Sequence, residues 1–263
     1  MKKSIKILGV LISVIAANNA FADGACNGLP SYSQLKSALS NAVLADTSGF
    51  QLNMWATVVN RDGVVCAVAY SGANRGSQWP GSRVISAQKA NTANAFSLDG
   101  LALSTGNLYS AVQGTDPDAK NGLGLGGSLY GLQFSNPVDP AIAYGGNPAK
   151  MGTADDPMVG GRIGGVNVFG GGLALYNSNH KVIGGLGLSG DSSCADHDKA
   201  WRTRHNLSLD FVPATDVISG DSTHPDNIVY DEVNGNINGH TDGWEQPSCG
   251  LNTGDPKNLP ATR

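Results

Sequence analysis

Leu52-Asn53-Met54-Trp55-Ala56-Thr57-Val58-Val59, then Asn60-Arg61-Asp62-Gly63, then Val64-Val65-Cys66-Ala67-Val68-Ala69-Tyr70: two β-branched and aromatic runs flank a four-residue break. Asp-Gly between such runs is a strong hairpin signal, because glycine accepts the positive φ that the turn requires. Upstream, residues 31–45 predict a helix, with Ser31 and Gln34 forming a capping box and Leu35, Leu39, Ala42 and Val43 on one face. Downstream, Pro80-Gly81 breaks the chain, and Ser82 is expected to cap a second helix running to about Leu98. Strand composition returns at residues 166–169, 172–176 and 182–188, the last two joined by Asn177-Ser178-Asn179-His180-Lys181. Ser193 is then expected to cap a third helix to about Leu207, with Asp196 at the capping-box position. Helix, hairpin, helix, hairpin, helix is the order of an α+β fold, an antiparallel sheet flanked by helices rather than a doubly wound parallel sheet.

Between these blocks, residues 100–165 lose periodicity. Thr115-Asp116-Pro117-Asp118, the glycine-rich stretch 122–131 and residues 137–157 are turn material. Such a length is unusual inside a compact domain. It reads as a functional or subunit-contacting excursion, with a short strand near residues 129–134. Residues 211–263, rich in Asp, Asn, Gly and Pro, read as an ordered extension packed on a domain spanning 23–210.

The first 22 residues have the three parts of a cleavable export signal. Lys2, Lys3 and Lys6 give a positive start, residues 7–17 a short apolar run, and Ala20-Phe21-Ala22 a small-x-small cleavage site. The apolar run is too short for a bilayer, which takes about 20 such residues. No later stretch is long and apolar enough to span either. The expectation is a periplasmic or secreted protein. Without those three lysines, the 17 basic residues fall to 14 against 21 acidic ones. That balance argues against nucleic acid, whose phosphates require clustered Lys and Arg. Charged residues are only 14% of the chain, so solubility must lean on Asn, Ser, Thr and Asp, while 36 glycines imply many turns.

Four cysteines follow the signal: Cys26, Cys66, Cys194 and Cys249. In an oxidising compartment they read first as two disulfides with three possible pairings. Cys26–Cys66 and Cys194–Cys249 are favoured, since each would tie an otherwise loose end to the core. Each would add roughly 3–4 kcal/mol if unstrained. A metal site in their place would lack any Cys-x-x-Cys spacing.

Several short motifs carry chemistry elsewhere. Gly122-Leu123-Gly124-Leu125-Gly126-Gly127 fits the dinucleotide G-x-G-x-x-G pattern, but Asp116-Pro117-Asp118 stands where a strand must precede it, so it reads as a flexible loop. Ser86 and Lys89 have the spacing of a serine acyl-enzyme without the partner motifs, which leaves a helix with a polar face. Asn234, Asn236, Asn238, Asp242 and Glu245 fit a calcium-loop template, with Gly239 at the sharp turn, or else a plain Asn-Gly turn cluster. His197, Trp201 and His205 share one helical stripe, which could line a flat cofactor or simply pack.

Two blocks together resemble a known family. Ser86-Ala87-Gln88-Lys89-Ala90-Asn91-Thr92-Ala93-Asn94-Ala95-Phe96 is similar to the K-A-x-T-A-x-x-F helix of the GlcG/HbpS family of haem-binding α+β proteins, often labelled haem-degrading. Val182-Ile183-Gly184-Gly185-Leu186-Gly187-Leu188-Ser189-Gly190, followed by Asp196-His197-Asp198, is similar to that family's V-x-G-x-x-G-x-S-G…D-x-D segment. The likeness covers roughly residues 31–98 and 166–207. It implies a profilin-like layer arrangement, a ring-like homo-oligomer and haem as cofactor. The residues it points to are Lys89, Thr92, Gly187, Ser189, Gly190, Asp196 and His197. Lys89 would meet a propionate, Ser189-Gly190 would present N–H donors to an anion, and the glycines would let a backbone or a ring lie close. His197 is the expected axial ligand, ahead of Tyr32 and Tyr70. The chain departs from the pattern in its excursion, in its extension and in Gly170-Gly171-Gly172-Leu173, where the family has G-G-x-P. The function implied is an exported haem- or tetrapyrrole-binding protein for storage, sensing or slow degradation. A ligand-free interaction module of the same fold is the alternative, and an enzyme using residues 189–198 as an anion site is a third reading.

Overall fold

The computed structural model describes residues 24–113, 127–231, 243–250, 252 and 254–263. The export signal, the calcium positions Asn234, Asn236, Asn238 and Asp242, and all of the G-x-G-x-x-G motif but Gly127 lie outside them. Helix α1 (Tyr32–Ala45) is followed by strands β1 (Trp55–Asn60) and β2 (Val65–Tyr70), helix α2 (Ser82–Phe96), strands β3 (Gly172–Tyr176) and β4 (Val182–Ser189), and helix α3 (Ser193–Asn206). The four strands form one antiparallel sheet in the order β2-β1-β4-β3. The fold is α+β, with α2 on one face and α1 and α3, packed together, on the other.

Local chemistry sets the first hairpin and the first helix. Gly63 takes φ +74°, and the Asn60 side-chain oxygen accepts from Asp62 N and Val64 N, each at 2.9 Å, to close the turn. Ser31 and Gln34 form the reciprocal capping box at the start of α1. β1 alternates strictly with period two. Ala56 and Val58 join Leu35, Leu39, Leu186, Leu188 and Trp201 in the core under α1 and α3. Trp55 and Val59 join Val84, Ala87 and Ala90 under α2.

Several expected elements differ. Ser82 does not cap α2; Gly81 does, and Ser82 is a buried helical residue. The cap of α3 is Ser192, one residue earlier than expected. Residues 166–169 form no strand, because side chains satisfy their backbone. Asn167 N donates to Thr92 Oγ1 at 2.9 Å and Phe169 N to the Asn167 side chain at 3.2 Å. Leu132–Ser135 is a helical turn rather than a strand, entered through Gly131 at φ +86°. The excursion packs in part on the domain, with its Ala143, Met158 and Ile163 fully buried in the core under α2. It is anchored there by a buried forked pair between the Arg83 guanidinium and the Asp156 carboxylate, with Arg83 Nε 2.9 Å from Oδ2.

Both favoured disulfides, Cys26–Cys66 and Cys194–Cys249, are present. The extension packs against α3, with Ile228 and Tyr230 beside the second disulfide and Leu259 in the main core. Trp201 Nε1 donates to Pro260 O at 2.8 Å, and Arg263 N to Asp210 O at 3.1 Å. Within it, β5 (Tyr230–Asp231) pairs in parallel with β6 (Gln246–Pro247). Among the described residues no helix is long and apolar enough to cross a membrane.

Helix α2 lies unusually close to the sheet. Its inward stripe, Ser86, Lys89, Ala90, Ala93 and Asn94, has helical spacing but small or polar residues. Opposite it, Thr57, Gly187 and Gly172 stand side by side on β1, β4 and β3. A methyl group on Gly187 would overlap the Ser86 carbonyl oxygen and the Ala90 nitrogen. Gly187→Ala should therefore destabilise the fold by about 3 kcal/mol, read as a lowered urea midpoint. An unchanged midpoint would show that α2 can lift away.

Candidate functional site

Lys89 leaves the middle of α2 toward the N-terminal turn of α3. Its Nζ lies 2.7 Å from Asp196 Oδ2 and donates to Leu188 O at 3.1 Å. The other Asp196 oxygen accepts Gly190 N at 3.1 Å and Asp191 N at 2.8 Å. The N–H donors expected to hold an external anion therefore hold a carboxylate of the same chain. Burial pushes the Asp196 carboxyl up to about 6, opposed by the Lys89 cation and by its hydrogen bonds.

The space between α2 and α3 is filled by Gly170-Gly171-Gly172. Gly170 lies against Ser193 O and His197 Cβ, and Gly171, at φ +112°, against Asp196 and the Lys89 ammonium. No side chain fits at either position. The three glycines that stand in place of G-G-x-P thus fill the expected cleft.

His197 is completely buried. Its Nε2 is 3.0 Å from Asn227 Oδ1 and 3.2 Å from the Ile228 N–H, while Nδ1 has no hydrogen-bond partner among the described residues. Burial pulls its pKa down to about 4, so the ring is neutral. The stripe His197–Trp201 is buried and packs in the core, with ring centroids 5.9 Å apart. Thr92 is buried and spends its hydroxyl on Gln88 O at 2.8 Å. Ser189 ends β4 opposite Trp55, and Gly190 packs on Asn53 O and Met54. Tyr70 stacks edge-on to Trp55 at 5.3 Å, with the Lys36 ammonium 4.7 Å from its ring. Ser86 bonds Thr57 at 2.8 Å, and its partner in the S-x-x-K spacing is committed to Asp196.

The structure brings Lys89, Gly187, Gly190 and Asp196 together in a packed knot. Among the described residues the space between them is taken up by Gly170 and Gly171, which leaves no room there for a tetrapyrrole. A surface groove of about 420 Å³ lies elsewhere, lined by Asp62, Val64, Asp139, Ile142 and Arg162 among others. Among the described residues no group of His, Cys, Asp and Glu side chains is placed to hold a metal ion. Glu245, the described member of the calcium template, is buried.

Next to the knot is a cluster that the sequence reading missed. Lys199, wholly buried, lies 3.5 Å from Asp46 and 3.7 Å from Asp191. Asp198 is buried beside it, with one oxygen lacking a partner among the described residues and the other covered closely by Gly254. Burial, then the nearby Asp46 charge, raises the Asp198 carboxyl to about 7. Arg204 and Asp226 form a further buried pair, at 2.6 and 2.8 Å, that fixes the extension to β3 through Ala174 O. Only the Asp-His-Asp run at 196–198 hinted at this density of buried charge.

Residues 33–203 match the model of a family described as haem degrading protein HbpS-like. The chain belongs to that family. Among solved structures, a Klebsiella pneumoniae protein, ORFY, is 21% identical over 78% of this chain and 98% of its own, with a TM-score of 0.42. A PduOC–heme complex is 23% identical over 66% and 89%, also at 0.42. An HbpS double mutant from Streptomyces reticuli is 13% identical over 78% and 97%, at 0.35. At these values the family assignment rests on the family match and not on the structures. No curated protein matches the chain.

Two outcomes follow for the HbpS-like core. Lys89→Met leaves the Asp196 carboxylate buried without its cation and should destabilise by about 3–5 kcal/mol, measured by urea unfolding; a loss below 1 kcal/mol would mean the pair is dispensable. Asp198, raised in the fold, keeps a proton that the unfolded chain has released. Its contribution to stability is therefore present at low pH and is lost as pH rises from about 4 through about 7. Asp198→Asn should remove that decline from a urea-midpoint profile, and an unaltered profile would refute the assignment.

Proposed function

We propose that this HbpS-like protein is an exported haem- or tetrapyrrole-binding protein, serving storage, sensing or slow degradation. The match of residues 33–203 to the haem-degrading family is the observation that carries this reading. The signal-like first 22 residues support export, and two disulfides fit an oxidising compartment. In this reading residues 1–22 are removed, 23–210 form the binding domain, and 211–263 pack upon it. Because the core is sealed, the ring lies on the surface or between copies of a homo-oligomer. Haem, when bound, supplies a redox-active iron; the chain's own part is to hold and orient the ring.

One observation favours a second reading. Asp196 already occupies the N–H donors that an external anion would use, as expected of a ligand-free module of the same fold. Mixing purified mature protein with haemin separates the two. Haem binding gives a displaced Soret band that saturates with added haemin, in protein recovered from the periplasm or medium with Asp23 as its first residue. An unshifted spectrum at saturating haemin leaves the ligand-free module, and an uncleaved, cytoplasmic product removes the export claim.

A further inference from the structure

The sulfurs of the two disulfides sit in opposite surroundings. In Cys26–Cys66, the Cys66 sulfur lies 3.5 Å from the Val64 carbonyl oxygen. That electron-rich neighbour disfavours a thiolate. In Cys194–Cys249, donors converge instead on the sulfur of Cys249. The Cys194 N–H donates to it at 3.2 Å, and the Ser193 oxygen lies 3.4 Å away. A disulfide sulfur carries no hydrogen, and the Ser193 oxygen already accepts from Gln246 Nε2 at 2.7 Å. The hydroxyl hydrogen is therefore the one aimed at sulfur. Gln246 Nε2 also stands 3.8 Å from the Cys194 sulfur. Ser193 and Cys194 open α3, a helix of 14 residues whose unpaired first N–H groups favour negative charge. Such surroundings stabilise a thiolate, and a disulfide whose reduced form is stabilised is the more readily reduced. Access agrees with this. Cys194 is wholly buried, while Cys249 is half-buried between exposed Ser248 and Gly250.

We propose that Cys194–Cys249 is an exchangeable disulfide, opened by a dithiol reductant that attacks Cys249, while Cys26–Cys66 is structural. The reductant's thiolate bonds to the Cys249 sulfur as the Cys249–Cys194 bond breaks, and Cys194 leaves with the electron pair. The second thiol then attacks the reductant's own sulfur in the mixed disulfide. Cys249 leaves as a thiolate, received by the Cys194 N–H and the Ser193 hydroxyl. The reductant ends as its own disulfide, the protein gains two electrons, and the proton of the second thiol passes to Cys194. Opening reaches the knot through Gln246, whose side-chain oxygen accepts Gly170 N at 2.7 Å. Gly170 packs on Ser193 O and His197 Cβ between α2 and α3. Reduction at the surface therefore loosens the filling of that space. The exchange does not depend on which ligand the protein takes.

The test is titration of the full oxidised protein with dithiothreitol, trapping by alkylation, and mapping of the labelled cysteines by mass spectrometry. Cys194 and Cys249 should be labelled at a reductant concentration about tenfold below that needed for Cys26 and Cys66. Amide hydrogen exchange at Gly170 should rise in step with this first opening. Ser193→Ala keeps the Ser192 cap but removes one donor, and should need more dithiothreitol than the wild type. Opening of both disulfides together, or of Cys26–Cys66 first, would overturn the proposal. Unchanged exchange at Gly170 after Cys194–Cys249 has opened would overturn the link to the knot.

Discussion

Helix α2 rests on a part of the sheet that offers it almost no side chains, and the remaining architecture follows from that closeness. Gly172, Gly185 and Gly187 let the helix backbone come down onto β3 and β4. Little apolar bulk remains between them, so the contact is not secured by large hydrophobic residues. It is secured by position: Ser86 meets Thr57, and Lys89 reaches past β4 to Asp196 in the next layer. Burying charge is costly unless each member is paired and hydrogen-bonded. Asp196 meets that condition through Lys89 and two backbone N–H groups. A shift of α2 by one turn would strand both charges.

The same device recurs wherever an irregular segment joins the core. Arg83–Asp156 holds the excursion, Arg204–Asp226 holds the extension, and Lys199 with Asp46 and Asp191 holds the approach to β1. This explains how a chain with only 14% charged residues and 36 glycines keeps long loops in place. Many of its few charges face inward, where they specify geometry.

What could be read from the sequence was what is encoded locally. Asp62-Gly63 and the Ser31–Gln34 box each settle their own few residues, and the glycine pattern of β4 marked a close approach. The buried pairs left no such trace, since Lys89 and Asp196 stand 107 positions apart and Arg83 and Asp156 73 apart. Asp196 looked like a capping residue by spacing, yet its carboxylate is drawn back to Gly190 and Asp191. Periodicity placed His197 correctly on a stripe with Trp201. It could not say whether that stripe faced solvent or core.

The extension touches α3 at both ends, through Cys194–Cys249 at its start and through Arg263 against His205 and Asp210 at its finish. Residues 259–263 also complete the packing around Trp201. Helix α3 therefore cannot complete its packing until residues 259–263 are in place, so the helix and the extension close together as one unit.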